Sequence, residues 1–291
     1  MDRGPTEGNR LMPRAAVLGH PVSHSLSPVL HRAAYTALDL DWSYEAIDVD
    51  EPELAAFLSS RDDEWVGFSL TMPLKSEAAR LADFVEPQAK LLGTVNTLVP
   101  AGKGEYRHWV GANTDIYGMV AAFAEAGAVR VGEAVIVGGG ATATSAVAAL
   151  ASMGATAPYV LVRERARAGA LMRASSRMGL RPRFLDISSR EALEALSQAD
   201  AVMSTVPADA GATLAERLRE SDTHVSGVLL DAVYVPVNTP LSLAWGELGG
   251  VSVSGVRMLL HQAGEQVRLM TAQNAPVKAM DLALAMVLTN S

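Results

Sequence analysis

Short apolar runs alternate along this chain with stretches whose apolar residues recur at helical spacing, the pattern of a mostly parallel sheet covered by helices. Up to about Asn113 the runs AAVLG, WVGFSL, VNTLV and HWVGA predict strands, with helices such as LKSEAARLADFV between them. From Val131 the order tightens into EAVIVGGG, ATATSAVAALASMG, YVLVRE, ARAGALMRASSRMG, RFLDI, AVMSTV and GVLLDAVY, a repeated strand, helix, strand. The segment IYGMVAAFAEAG reads as a helix ending at Gly127 that crosses between the two series. The last stretch, GVRMLLHQAGEQVRLMTAQNAPVKAMDLALAMVL, is helical throughout, with Pro276 opening its second element. These two helices follow no strand of the second series and are expected to pack back on the first. The fold class is α/β in two domains.

Composition narrows the function. A chain of 291 residues with 49% hydrophobic content can fill two cores. A net charge of −8 argues against nucleic acid as the partner. The absence of cysteine removes disulfides, thiolate zinc sites and a cysteine nucleophile, and fits a cytoplasmic protein. No apolar stretch approaches the length of a membrane span, and the opening MDRGPTEGNRLMPR lacks the apolar core of a secretory signal. The six histidines show no metal-ligand spacing, so no metal is assigned.

The clearest motif is AVIVGGGATATSAVAAL, a strand, then Gly138, Gly139 and Gly140, then a helix of small residues. This is GxGxxA. The first glycine permits a tight turn, the second lets the backbone approach a pyrophosphate, and Ala143 allows close helix-to-strand packing. An ordinary glycine turn would look similar, but the flanking strand and helix favour a dinucleotide. After the next strand comes VRERAR, in which Glu164 could bond an unphosphorylated ribose, whereas Arg163, Arg165 and Arg167 could grip a 2′-phosphate. Three cations against one anion favour NADP, with NAD left open.

The first half concentrates polar residues at the ends of its apolar runs. In GHPVSHSLSPVLHRAAY, Pro28 suits the first helical position and Ser27 the N-cap, with Val29, Leu30, Ala33, Ala34, Ala37 and Leu38 as one apolar stripe. Ser25 and Ser27 beside a helix N-terminus suit a carboxylate, although cap and turn roles explain both equally well. FSLTMPLK adds Thr71 and Lys75, LGTVNTLV adds Asn96 and Thr97, and VGANTDIYG adds Asn113, Thr114 and Asp115. Each follows or interrupts a predicted strand, so these groups should emerge where open α/β sheets bind ligands. Such a set can hold a small polyol and handle a proton, although Asp115 alone reads as a helix cap.

Seven motifs in order resemble those of the shikimate dehydrogenases: SHSLSP, SLTMPLK, VNTL, GANTDIYG, VGGGATA, DAVYVPVNTPL and SGVRMLLHQAGEQ. The resemblance runs from about Ala15 to Met286. It implies an N-terminal α/β substrate domain, 1–114, completed by C-terminal helices in 257–291, and a Rossmann-type doubly wound domain, 115–256. It also implies reversible NADPH-dependent reduction of 3-dehydroshikimate to shikimate. By matching position, Ser25 and Ser27 would hold the substrate carboxylate, and Thr71, Asn96, Asp115 and Gln262 the ring hydroxyls. Lys75 and Asp115 form the central pair. Tyr234 and Gly255 would line the cleft between domains, Met258 would sit near the nicotinamide, and Gly138, Gly139, Gly140, Ala141 and Thr142 would line the pyrophosphate. Two departures stand out: Ser69 replaces a common asparagine, and Glu164 falls where an arginine usually grips the phosphate, leaving Arg163 or Arg165 to substitute. A quinate or broad-specificity dehydrogenase using NAD remains open, as does a homodimer. A nucleotide-binding regulator without catalysis would not need Lys75 and Asp115.

Overall fold

A computed structural model describes residues 12–221 and 223–289. Its strands form two six-stranded sheets. The first contains β1 (Arg14–Gly19), β2 (Ser43–Asp48), β3 (Trp65–Leu70), β4 (Phe84–Val85), β5 (Thr97–Ala101) and β6 (His108–Ala112). The second contains β7 (Ala134–Val137), β8 (Tyr159–Val162), β9 (Arg183–Asp186), β10 (Ala201–Ser204), β11 (Val228–Asp231) and β12 (Val251–Ser254). The helices are α1 (Ser27–Ala37), α2 (Leu54–Ser59), α3 (Lys75–Leu81), α4 (Pro87–Leu92), α5 (Asp115–Glu125), α6 (Ala141–Ser152), α7 (Gly169–Arg177), α8 (Arg190–Gln198), α9 (Ala208–Glu220), α10 (Pro240–Glu247), α11 (Gly255–Thr271) and α12 (Val277–Leu288).

The second sheet runs β9-β8-β7-β10-β11-β12 with every pair parallel. This is the doubly wound dinucleotide-binding order, and its direction reverses between β7 and β10, where a crevice opens beyond the strand ends. The first sheet is mixed: β2, β1 and β3 are parallel, β5 runs antiparallel to both β3 and β6, and β4 is parallel to β6. Both sheets are covered on both faces. In β1 the pleat sends Ala15 and Val17 into a core shared with Leu30, Tyr35, Leu260, Val267 and Leu284, and sends Ala16 and Leu18 into another built around Phe68, Leu74 and Trp65. The terminal helices α11 and α12 thus share the core on one face of the first sheet.

The structure differs from the sequence reading in places. LKSEAARLADFV is not one helix: α3 stops at Leu81, Ala82 turns extended, and Phe84 and Val85 pair with β6. Asp83 stabilises the exit by accepting from the Trp109 amide at 2.7 Å. β2, β4 and β12 come in addition to the runs that read as strands. In α1 the helix starts at Ser27, so Ser27 is not its cap; Ser25 Oγ accepts from the Ser27 amide instead, at 3.3 Å. The buried face of α1 is Ser27, Leu30, His31, Ala34 and Tyr35, while Ala37 is exposed. A face containing a serine and a histidine is invisible to a count of apolar positions.

Candidate active site

Sheet topology brings the polar residues together. Because β3 and β6 are both antiparallel to β5 and β1 is parallel to β3, the C-terminal ends of β1, β3 and β6 and the N-terminal end of β5 lie on one rim. Ser25 and Ser27 follow β1, Thr71 and Lys75 follow β3, Asn96 precedes β5, and Asn113 to Asp115 follow β6. At this rim Lys75 Nζ donates to Asp115 Oδ2 at 2.6 Å, with 19% and 5% of the two side chains exposed. Asp115 opens α5 without capping it, since its carboxylate is taken up by Lys75 and by Asn96, whose Nδ2 donates to Asp115 Oδ1 at 2.8 Å. Asn113 Oδ1 instead accepts from the Asp115 amide at 3.1 Å.

Gln262 reaches this cluster because α5 and α11 pack at very short range. A Cβ on Gly118 would stand 2.7 Å from Met258 O and 2.8 Å from Gln262 Cβ, so only glycine fits at this crossing. Gln262 Nε2 donates to Leu259 O at 3.0 Å, and its Oε1 accepts from Thr114 Oγ1 at 3.4 Å. Together these groups line a cleft of about 170 Å³ between the sheets. Ser25, Ser27, Thr71, Lys75, Asn96, Asp115 and Gln262 line it from the first sheet and α11. Tyr234, Thr142, Gly255 and Met258 close it from the second-sheet side. Tyr234 is held there through its own loop: Thr239 caps α10 and donates to Asp231 Oδ2 at 2.7 Å, and burial pushes the Asp231 carboxyl up. Burial pushes the Tyr234 phenol up as well.

A second concavity of about 440 Å³ lies at the β7/β10 switch point. Gly138, Gly139 and Gly140 form one wall, and Thr205 and Pro207 another. Gly138 has φ +113°, and a Cβ there would fall 2.4 Å from Thr205 Oγ1. No side chain caps α6, which leaves its first-turn amides to an anion. Arg163 and Arg167 line this groove, but Arg165 does not: its guanidinium lies over the Phe184 ring, 4.9 Å from the centroid. Glu164 also faces the groove, paired with Arg167 at 3.0 Å. Ala141 is exposed at the start of α6, outside the groove lining, and Thr142 faces the other cleft. Among the described residues no group of three or more His, Asp or Glu side chains is arranged to hold a metal, and no helix is long and apolar enough to cross a membrane.

Comparison with known proteins decides the family. Residues 17–98 match the model of the shikimate dehydrogenase substrate binding domain. Over 274 residues the chain is 35% identical to the shikimate dehydrogenase (NADP(+)) of Methanosarcina mazei, covering 91% of this chain and 94% of that one. This chain belongs to the shikimate dehydrogenase family. The crystal structure of Mycobacterium tuberculosis shikimate dehydrogenase is similar with a TM-score of 0.85 and 41% identity, covering 94% of this chain and 99% of that one. The chain is also 32% identical over 283 residues to the pentafunctional AROM polypeptide 1 of Lodderomyces elongisporus, and spans 18% of its length.

Within this shikimate dehydrogenase framework the structure gives a place to residues for which the motifs supplied no role. Ser69, 3% exposed, and Gln266, 1% exposed, line the floor of the cleft. Gln266 lies one helical turn beyond Gln262, a spacing already legible in QAGEQ. Its Oε1 accepts from Ser69 Oγ at 2.8 Å and lies 3.2 Å from His31 Nε2. His31 stacks on Tyr44 at 4.0 Å, and burial pulls its pKa down to about 4, so the ring is neutral. At the other concavity, Arg217 of α9, which lines it along with Glu164, donates to the carbonyls of Ile187 and Ser188 at 2.5 and 2.7 Å.

Proposed function

We propose that the chain catalyses the reversible reduction of 3-dehydroshikimate to shikimate with NADPH, acting in the cytoplasm. The division into a substrate domain, 1–114 with 257–291, and a cofactor domain, 115–256, agrees with the packing: α5 joins the core around β7 and α6, while α11 and α12 join that around β1 and α1. The observation that carries the reading is the Lys75–Asp115 pair at 2.6 Å, facing a small polar cleft whose opposite wall is the start of α6 and α11.

Ser25 and Ser27 sit beside the α1 N-terminus and suit the substrate carboxylate, since amides and hydroxyls there meet an anion. Thr71, Asn96, Asp115 and Gln262 present donors and acceptors to ring hydroxyls. When bound, NADPH supplies a hydride from its nicotinamide. As the substrate's carbonyl carbon accepted that hydride, negative charge would develop on the carbonyl oxygen, which Lys75 Nζ, held by Asp115, would stabilise and protonate. The glycine turn fits a dinucleotide: a Cβ at Gly140 would meet nothing within 4 Å, so the backbone faces open space beside the uncapped α6. Thr142, Gly255 and Met258 line the same cleft as Lys75 and Asp115 and would hold the nicotinamide beside the substrate. Arg163 and Arg167 are placed for a 2′-phosphate, and Arg165 is not.

Initial rates of purified protein with shikimate and either NADP or NAD test the reading. Turnover with NADP that Lys75→Ala lowers by about two to four orders of magnitude, with a much smaller change in the shikimate KM, supports it. A Lys75→Ala enzyme with wild-type kcat would overturn the assignment. Preference for NAD and quinate would establish the alternative that Glu164 in the groove favours.

A further inference from the structure

Beneath the cleft a chain of buried hydrogen bonds ends on the catalytic carboxylate, and chemistry sets the direction of every link. Gln266 Nε2 lies 3.2 Å from Asn96 O, an atom that can only accept, so that end of Gln266 is the amide nitrogen. The same nitrogen donates to Thr97 Oγ1 at 3.1 Å. A hydroxyl has one proton, and with a donor on one side Thr97 must donate on the other, to Asn96 Oδ1 at 2.8 Å. Asn96 Oδ1 also accepts from the Thr114 amide at 2.8 Å. Its nitrogen end is thereby turned to Asp115 Oδ1, whose other oxygen holds Lys75. The opposite end of Gln266 is anchored by donors as well: Ser69 Oγ donates to Oε1 and Tyr44 OH donates to Ser69 Oγ at 2.7 Å.

We propose that Thr97 and Gln266 are positioning residues, which orient the Asn96 amide so that it presents its N–H to Asp115 and keeps the carboxylate aimed at Lys75. Gln266 lines the cleft, but neither residue is a hydrogen-bond partner of Lys75 or Asp115. Thr97 is wholly buried, outside the cleft lining, and reaches the site only through its bonds to Asn96 and Gln266. The proposal rests on the catalytic reading of Lys75 and Asp115 given above. Links of this kind polarise one another in a low-dielectric interior, so losing one weakens its successors.

Thr97→Val is the incisive change, because it keeps shape and removes only the hydroxyl. It leaves Gln266 bonded to Asn96 O and Asn96 Oδ1 bonded to the Thr114 amide, so no buried polar atom is orphaned. Two readouts are needed. The ¹⁵N side-chain amide resonances of Asn96 report its orientation whether or not the protein turns over shikimate. In wild type and Thr97→Ser they should be distinct and slowly exchanging; in Thr97→Val they should shift and exchange at least tenfold faster. In the shikimate assay, Thr97→Val should lower kcat about tenfold with the NADP KM within twofold, and Thr97→Ser should restore it. Unchanged Asn96 resonances, unchanged kcat, or a loss that serine fails to rescue would overturn the proposal. Absence of wild-type shikimate turnover would instead sink the functional reading, and the resonances would still judge the orientation.

Discussion

His31 makes the first sheet's core sensitive to acid in a way that can be calculated. Its ring is wholly buried, stacked on Tyr44, and its folded pKa of about 4 lies well below the 6.5 of an unfolded histidine, with desolvation as the main cause. Between these values the unfolded chain binds a proton that the folded chain refuses. Stability therefore rises with pH across this window and is lost as pH falls from 6.5 towards 4. A gap of roughly 2.5 pH units at about 1.4 kcal/mol each gives a loss of about 3 kcal/mol, a large share of a typical domain's margin. Other groups titrate here too, so the measurement is a difference. His31→Phe retains a ring against Tyr44 and leaves Gln266 Oε1 with its Ser69 donor. Urea unfolding of both proteins, followed by tryptophan fluorescence from pH 7.5 to 4.5, should show wild type losing about 2 to 3 kcal/mol more than the variant. A gap between the two that stays constant with pH would refute the reasoning, since His31 would then be charging inside the fold.

Two further expectations follow from the cofactor side. Gly138→Ala forces a side chain into φ +113° against Thr205 Oγ1, and should cost about 2 kcal/mol or more in thermal or urea unfolding; a wild-type midpoint would contradict the described turn. Arg163→Ala should raise the Kd of 2′,5′-ADP about tenfold by calorimetry and leave that of 5′-AMP within twofold, and equal effects on both would remove Arg163 from the 2′-phosphate.

What the sequence revealed and what it hid have physical causes. WVGFSL and HWVGA are central, nearly continuous apolar strands, and the structure places them at the same residues, Trp65–Leu70 and His108–Ala112. The glycine run was legible because turn, close approach and helix start each demand a particular residue. β2, SYEAID, was not, because it is an edge strand with only Tyr44 fully buried. Lys75 and Asp115 could be placed at a rim by strand ends alone. Ser69 and His31 could not, and Thr97, expected at the same rim, is wholly buried outside the cleft lining, because a buried polar residue is recognisable only once its distant partners are known. Arg165 misled for a related reason: charge can be counted in VRERAR, but only the fold lays its guanidinium on Phe184.

The route of α11 has a consequence for how the protein is made. This helix starts beside β11 and runs across to the first sheet, where Leu260, Ala263 and Val267, with Met280 and Leu284 of α12, complete the core begun by Leu30, Ala34 and Tyr35. As the polypeptide leaves the ribosome, its first half emerges with that apolar face bare, and it stays bare through synthesis of the whole second sheet. Only α11 and α12, which follow the second sheet in the chain, can cover it, and they bring Gln262 and Gln266 with them. Completion of this core thus waits until the second sheet has been made, and a nascent chain stalled before α11 would be a natural client for a chaperone.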